Sequence, residues 1–326
     1  MSIASPKEIR LVPLSFSDVD LFSEWETGLG WDIQSAQLSA GSNEIGFDHL
    51  EFPGLIIGNF RVKQSILSTF ALPKGMTLLL ICRTKLPLVW CGRHLQPTTM
   101  GIVRSHRENW AVIPPGMDCY EFMVSDDLIE RTEFFPRSFF SKTTEIEHAI
   151  LPLAEPITGE FLRAIEGFFE HARRVNGSHS GMLNGKRVFD FVINGLQQLT
   201  DAGLSARGWQ QPRRGRRAEL VRKGIDFIHA NLTNQISVND IAQALGVSYR
   251  VLNYAFIDSL NVSPYRYVLT EKLHAIRREL KNGEASISET CFLYGFETPS
   301  RFTRQYERLF GELPSETKKK IRGVSR

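Results

Sequence analysis

Arg301, Arg304, Gln305 and Arg308 sit close together in the stretch "YGFETPSRFTRQYERLFGELP" at 294–314. Guanidinium forks and a carboxamide are the side chains that hydrogen-bond phosphate oxygens and base edges. Interleaved with them, Phe302, Tyr306, Leu309 and Phe310 recur at i, i+4, i+7 and i+8, the spacing of one helix face. The polar set must then occupy the opposite face. Thr298 stands at the N-cap with Pro299 at the first helical position. Gly311 suits a left-handed C-terminal residue, and Pro314 blocks continuation. A lone helix of this kind would be an ordinary surface helix with solvated charges, so its surroundings decide what the arginines do.

Those surroundings repeat. Ser237, Gly246, Leu252, Phe256 and Pro264 recur as Ser286, Gly295, Phe302, Tyr306 and Pro314, at intervals of 9, 6, 4 and 8 and then 9, 7, 4 and 8. Ser237 with Asp240 forms a capping-box-like start, and Gly246 provides a turn. Ser248 caps "YRVLNYAF", a helix expected to bury Val251, Leu252, Ala255 and Phe256 while showing Tyr249, Arg250, Asn253 and Tyr254. Helix, glycine turn and polar-faced helix make a helix-turn-helix unit, present twice. Between the copies, "SPYRYVLTEKLHAIRREL" at 263–280 reads as one helix, about 27 Å long at about 1.5 Å per residue. That is close to the ~34 Å between successive major-groove segments on one face of DNA. Ser248, Tyr249, Arg250, Asn253 and Tyr254 would serve one segment. Thr298, Ser300, Arg301 and Gln305 would serve the other, with Arg304 on phosphate.

Residues 218–322 resemble the tandem helix-turn-helix domain of the AraC/XylS family of transcription regulators. The second repeat carries nearly all of G-F-x-x-x-S-x-F-x-R-x-F/Y-x-x-x-F-G-x-x-P, through Gly295, Phe296, Ser300, Phe302, Arg304, Tyr306, Phe310, Gly311 and Pro314. Three positions depart from the family pattern. Cys291 replaces Ala, Lys272 replaces Arg in the connecting helix, and Asn261 replaces Gly after the first recognition helix. The resemblance implies a sequence-specific DNA-binding regulator and not an enzyme. It further implies an activator working as a homodimer, with promoter DNA, a small effector and RNA polymerase as partners.

Charge is divided along the chain accordingly. Residues 207–326 hold 21 Lys and Arg against 12 Asp and Glu, leaving 18 basic and 24 acidic residues in 1–206. Only the C-terminal third is suited to a polyanion. The four cysteines show no metal spacing and imply buried thiols in a reducing, cytoplasmic setting. The most apolar run, "MTLLLIC" at 76–82, is too short to span a bilayer, so no membrane is expected. Residues 1–205 divide into a helix and turn over 17–40, a β region from about 45 to 125, and helices over about 156–202. The overall expectation is α+β. An antiparallel, cupin-like or sandwich sensor domain with a helical dimerisation segment leads into a basic linker at 206–217, followed by two helix-turn-helix units joined by a long helix.

Candidate effector residues lie at the seam between the halves. "RRGRR" gives Arg213, Arg214 and Arg217 an R-x-x-x-R spacing. "NGSHSG" fits [D/N]-x-S-x-x-G through Asn176, Ser178 and Gly181. Together they resemble the two PilZ-domain signatures for cyclic di-GMP, in which Arg forks clamp phosphate and stack on guanine. The order is reversed and no PilZ barrel follows, so the site would be convergent. The plainer readings are a phosphate-contacting linker and a helix–helix turn. An unrelated metabolite in the β domain, or no effector at all, are the alternatives. No cofactor is implied: His94 and His106 are isolated, and "GMLNGKR" at 181–187 lacks the spacing and hydroxyl of a phosphate loop.

Overall fold

The computed structural model describes residues 11–104, 109–135, 148–175, 184–206, 215–282 and 286–324. The chain begins with β1 (Leu11–Phe16), α1 (Val19–Gly28), β2 (Asp32–Gln37), β3 (Ile45–Phe52), β4 (Leu55–Val62), β5 (Ile66–Ala71) and β6 (Met76–Cys82). It continues through β7 (Leu88–Trp90), β8 (Arg93–Leu95), β9 (Thr99–Val103), β10 (Asn109–Ile113), β11 (Met117–Ser125), α2 (Asp126–Thr132) and β12 (His148–Pro152). Two long helices follow, α3 (Ile157–Val175) and α4 (Gly185–Ser205).

Among the described residues the strands form two antiparallel sheets, β1-β3-β4-β11-β6-β9-β12 and β2-β5-β10-β7-β8. The central strand β11 shows why they stack. Met117, Cys119 and Met123 point into the core between the sheets, while Tyr120, Phe122 and Val124 point the other way. Alternation with both sets apolar requires cover on both faces. Sheet two covers one. The apolar stripes of α3 (Phe161, Ile165, Phe169) and α4 (Val188, Val192, Leu196) cover the other. The helices expected over about 156–202 therefore pack their apolar stripes on the β domain.

Three strands lie outside the β region expected from sequence. β1 and β12 are edge strands, the place in a sheet where prolines such as Pro13 and Pro152 are tolerated, because one side of the strand has no ladder to lose. β2, within the expected helix and turn, reads "DIQSAQ" and lacks clear alternation. Pairing with β5 over Asp32–Gln37 makes it a strand. All four cysteines are buried free thiols. Burial pushes the Cys82 thiol up to about 12 and Cys119 well above its ordinary value, so neither is a nucleophile.

The C-terminal domain is all helical: α5 (Arg216–Ala230), α6 (Val238–Ala244), α7 (Tyr249–Leu260), α8 (Pro264–Asn282), α9 (Ile287–Leu293), α10 (Pro299–Phe310) and α11 (Pro314–Val324). No helix of the described residues is long and apolar enough to cross a membrane.

Candidate nucleic-acid interface

The repeat is built twice by the same local devices. Ser237 accepts from the Asp240 N–H at 3.2 Å while Asp240 accepts from the Ser237 N–H at 2.7 Å. Ser286 and Glu289 do the same at 3.1 and 3.2 Å. These reciprocal bonds fix the starts of α6 and α9. Each short helix then ends in a left-handed glycine, Gly246 (φ 66°) or Gly295 (φ 78°), which sets the turn into α7 or α10. Both long helices close the same way, α7 on Asn261 (φ 55°) and α10 on Gly311 (φ 71°). Asn261 thus performs the role of the family's glycine.

Packing leaves one face of each helix outward. Leu252 and Phe256 in α7, and Phe302 and Tyr306 in α10, are fully buried. The Tyr306 hydroxyl meets Thr317 Oγ1 at 2.8 Å, tying α10 to α11. On α7, Tyr249 and Tyr254 are more than half exposed, and the Arg250 guanidinium lies 5.5 Å from the Tyr254 ring centroid. Ser248 caps the helix through the Val251 N–H at 3.3 Å, and Asn253 is half-buried. On α10, Thr298, Ser300, Arg301 and Arg304 are exposed. Thr298 is the N-cap but makes no side-chain cap bond. Arg301 Nη2 donates to the Tyr265 hydroxyl of α8 at 3.4 Å. Gln305 is half-buried, with Oε1 turned inward.

Two residues depart from their expected places, Val251 and Gln305. Val251, expected on the buried face of α7, is 49% exposed. The internal repeat carried the signal: the alignment pairing Leu252 with Phe302 also pairs Val251 with Arg301. An apolar side chain at that position suits the thymine methyl as arginine suits guanine. The same alignment pairs Gln305 with Ala255, which is buried, and accounts for Gln305 turning inward.

α8 holds the two units in register. Lys272 Nζ donates to the carbonyls of Asn234, before α6, at 3.2 Å and Tyr294, at the end of α9, at 3.0 Å. Its ammonium is therefore a structural tie between repeats. Glu271 is buried with His229 Nε2 at 3.4 Å. Burial, the largest single influence, would raise this carboxyl, but the His229 hydrogen bond and charge, with smaller help from neighbouring groups, together hold Glu271 below its ordinary value.

The N-terminal domain docks on the far end of this scaffold. The Gln37 N–H donates to His274 Nε2 at 2.8 Å, and Gln37 Nε2 donates to the Leu309 carbonyl at 2.6 Å. The Gly41 N–H reaches the Arg308 and Leu309 carbonyls at 3.1 Å, the otherwise orphan acceptors at the end of α10. At the start of α1, Asp18 and Asp20 each accept from Lys281 Nζ at 2.9 Å, and Arg277 lies 3.4 Å from Asp18 and 2.7 Å from Glu312. Burial opposes the charge on Asp18, but Lys281, the Leu21 N–H and Arg277 together hold it below its ordinary value. No sequence pattern pointed to this interface, because its partners are some 240 to 270 positions apart, as in the Gln37–His274 and Gln37–Leu309 pairs.

Of the effector residues expected from sequence, Asn176, Ser178, Gly181, Arg213 and Arg214 lie outside the described residues, as does His106. Arg217 lies in the first turn of α5, exposed, with Nη1 3.3 Å from Asp258 Oδ2 on α7.

These features define the C-terminal domain as a double helix-turn-helix module. Residues 241–320 match the family model described as a helix-turn-helix domain. Over 96 residues the chain is 36% identical to the XylDLEGF operon transcriptional activator of Pseudomonas putida, covering 28% of this chain and 30% of that protein. A solved transcriptional regulator with an AraC-type DNA-binding domain from Chromobacterium violaceum is 27% identical, covering 32% of this chain and 92% of that one at a TM-score of 0.31. The AraC-like transcriptional activator CuxR aligns over 81% of this chain and 94% of its own at 14% identity and a TM-score of 0.41. The C-terminal domain is of the AraC/XylS type. The match spans about 30% of the length of that Pseudomonas relative.

Proposed function

We propose that this protein is a sequence-specific DNA-binding transcription regulator whose N-terminal domain controls its activity in response to a small effector. The observation that carries this reading is the duplicated unit with two outward helix faces, Tyr249, Arg250, Val251 and Tyr254 on α7 and Thr298, Ser300, Arg301 and Arg304 on α10. Arg301 and Val251 take equivalent positions and read bases. Arg304 and Ser248 hold phosphates, and Asn253 and Gln305 contribute from the edges of the two faces. The net charge of +9 over residues 207–326 supplies the nonspecific part of the affinity.

The operon activators among its relatives support an activator, with RNA polymerase as a protein partner on promoter DNA. A homodimer in the cytoplasm fits this role. Phe191 on α4, 40% exposed and stacked on Phe161, is a candidate contact between subunits. Cyclic di-GMP is the effector nominated by the R-x-x-x-R and N-x-S-x-x-G motifs, and exposed Arg217 is the member of that set with a described position. Selection of duplexes from a random pool by the purified protein tests the DNA reading: an enriched consensus with two half-motifs about one helical turn apart is expected. Binding that depends on salt but enriches no sequence would overturn it. Titration with cyclic di-GMP of wild type and the Arg213→Ala/Arg217→Ala variant tests that ligand. Binding abolished in the variant supports it, and absence of binding removes it.

A further inference from the structure

Between the sheets and α1 lies a small pocket, with a cavity volume of about 70 Å³, that opens to solvent. Its wall is aromatic, with Phe22, Trp31, Phe60 and Phe70, yet two carboxyls line it. Glu26, in the last turn of α1, is 93% buried, and its Oε2 meets no hydrogen-bond partner. Glu121, half-buried, occupies an inward-facing position of β11 between Cys119 and Met123. A hydrocarbon side chain would fill the Glu26 position at lower cost, because a buried carboxyl without a partner is destabilising, and Glu121 Oε1 accepts from the Cys119 thiol, a weak donor, at 3.9 Å. A carboxyl placed there without an internal counter-charge is suited to one that arrives from outside.

We propose that this pocket binds a small organic cation, its ammonium held by Glu26 and Glu121 and its carbon skeleton by the ring faces. Aromatic faces attract cations, and a desolvated carboxylate completes the charge balance. Burial keeps both carboxyls well above the usual carboxylate range, Glu121 at about 7 and Glu26 further raised by the Glu121 charge. An incoming ammonium ionises Glu26, and the displaced proton leaves to buffer. Anions, cyclic di-GMP included, find no counter-charge beside these carboxyls, so this pocket is separate from any site built on the arginines.

The pocket has a mechanical route to the DNA-binding domain. α1 spans Val19–Gly28 and carries Phe22 and Glu26 in the pocket wall, while Asp18 and Asp20 at its start grip Lys281, and Asp18 also Arg277, of α8. A shift of α1 toward a bound ammonium changes the contacts that seat α8. This extends the effector control proposed above and names its ligand class.

The test is isothermal titration of the full-length protein, without DNA, with butylamine and phenethylamine, beside 1-butanol and butyrate as uncharged and anionic counterparts. Each titration is run in two buffers of different ionisation enthalpy. At least one amine is expected to bind in the millimolar range or tighter with release of a proton, and the alcohol and acid are expected not to bind. Glu26→Gln is expected to weaken amine binding by about 30-fold or more, the usual consequence of removing one partner of a desolvated charge pair. Glu121→Gln is expected to weaken it in the same direction, which guards against misfolding of a single variant. Silence from both amines, equal binding of the alcohol, or unchanged binding by both variants overturns the proposal. Because no DNA is present, any of these results leaves the DNA-binding reading standing.

Discussion

Gly311 gives the sharpest test of how the two domains are joined. It closes α10 in the left-handed region, and a Cβ added there would lie 2.7 Å from the Ser42 backbone nitrogen and 3.2 Å from its Cα, both in the N-terminal domain. Two costs are therefore superimposed, backbone strain and collision. Asparagine separates them, because the first repeat already uses Asn261 at the equivalent position, so a Gly311→Asn change carries little left-handed strain. Gly246 is the control: it has φ 66° and nothing within 4 Å of an added Cβ. Gly246→Asn should cost a few tenths of a kcal/mol. Gly311→Asn should cost about 1–3 kcal/mol more, the range for forcing atoms into filled space against backbone that cannot rotate away. Urea unfolding of the full-length protein measures the difference through the midpoint. If the domains separate instead, small-angle scattering records a larger radius of gyration. A Gly311→Asn protein with both the midpoint of the Gly246→Asn protein and the wild-type radius would refute the docking described here.

Other outcomes follow from particular groups. Phe302→Ala, in the core of the second unit, should destabilise by about 3–5 kcal/mol in thermal unfolding, and a loss below about 1 kcal/mol would contradict its full burial. Burial holds His274 below its ordinary 6.5. The unfolded chain then binds a proton that the fold excludes, so stability is complete above pH 6.5 and falls as the pH drops below it. His274→Gln should flatten that part of the stability–pH curve, and an unchanged slope would contradict the neutral ring seen at Gln37. Glu121 behaves oppositely: with its carboxyl raised from 4.5 to about 7, the fold retains a proton, and stability declines as the pH rises through that window. Glu121→Gln should remove the decline and be the more stable protein at pH 8, by about 1–3 kcal/mol at about 1.4 kcal/mol per pH unit and allowing for partial exposure. A less stable variant at pH 8 would contradict it.

The helical third was legible because its signals are local. Caps at Ser237 and Ser286, left-handed turns at Gly246 and Gly295, and apolar residues at helical spacing each act within a few positions. Val251 escaped because an apolar residue beside Leu252 looks buried until the repeat is aligned position by position. The β domain was legible as far as its alternation held. β2 is polar and exists because β5 pairs with it, and Pro13 and Pro152 disguise two edge strands. The carboxyls of Glu26 and Glu121 carried no signal at all. A glutamate in a short helix and another in a strand are unremarkable until folding places both against the same aromatic wall.

The central claim is that the outward faces of α7 and α10 read DNA sequence. The most direct test measures affinity of wild type and Arg301→Ala for a duplex selected by the wild-type protein and for a scrambled duplex of equal length and composition, at one fixed salt concentration. Arg301→Ala should lose about 1–3 kcal/mol on the selected duplex and far less on the scrambled one, narrowing the ratio between them. Equal losses on both duplexes would place Arg301 on the phosphate backbone and contradict base reading by α10.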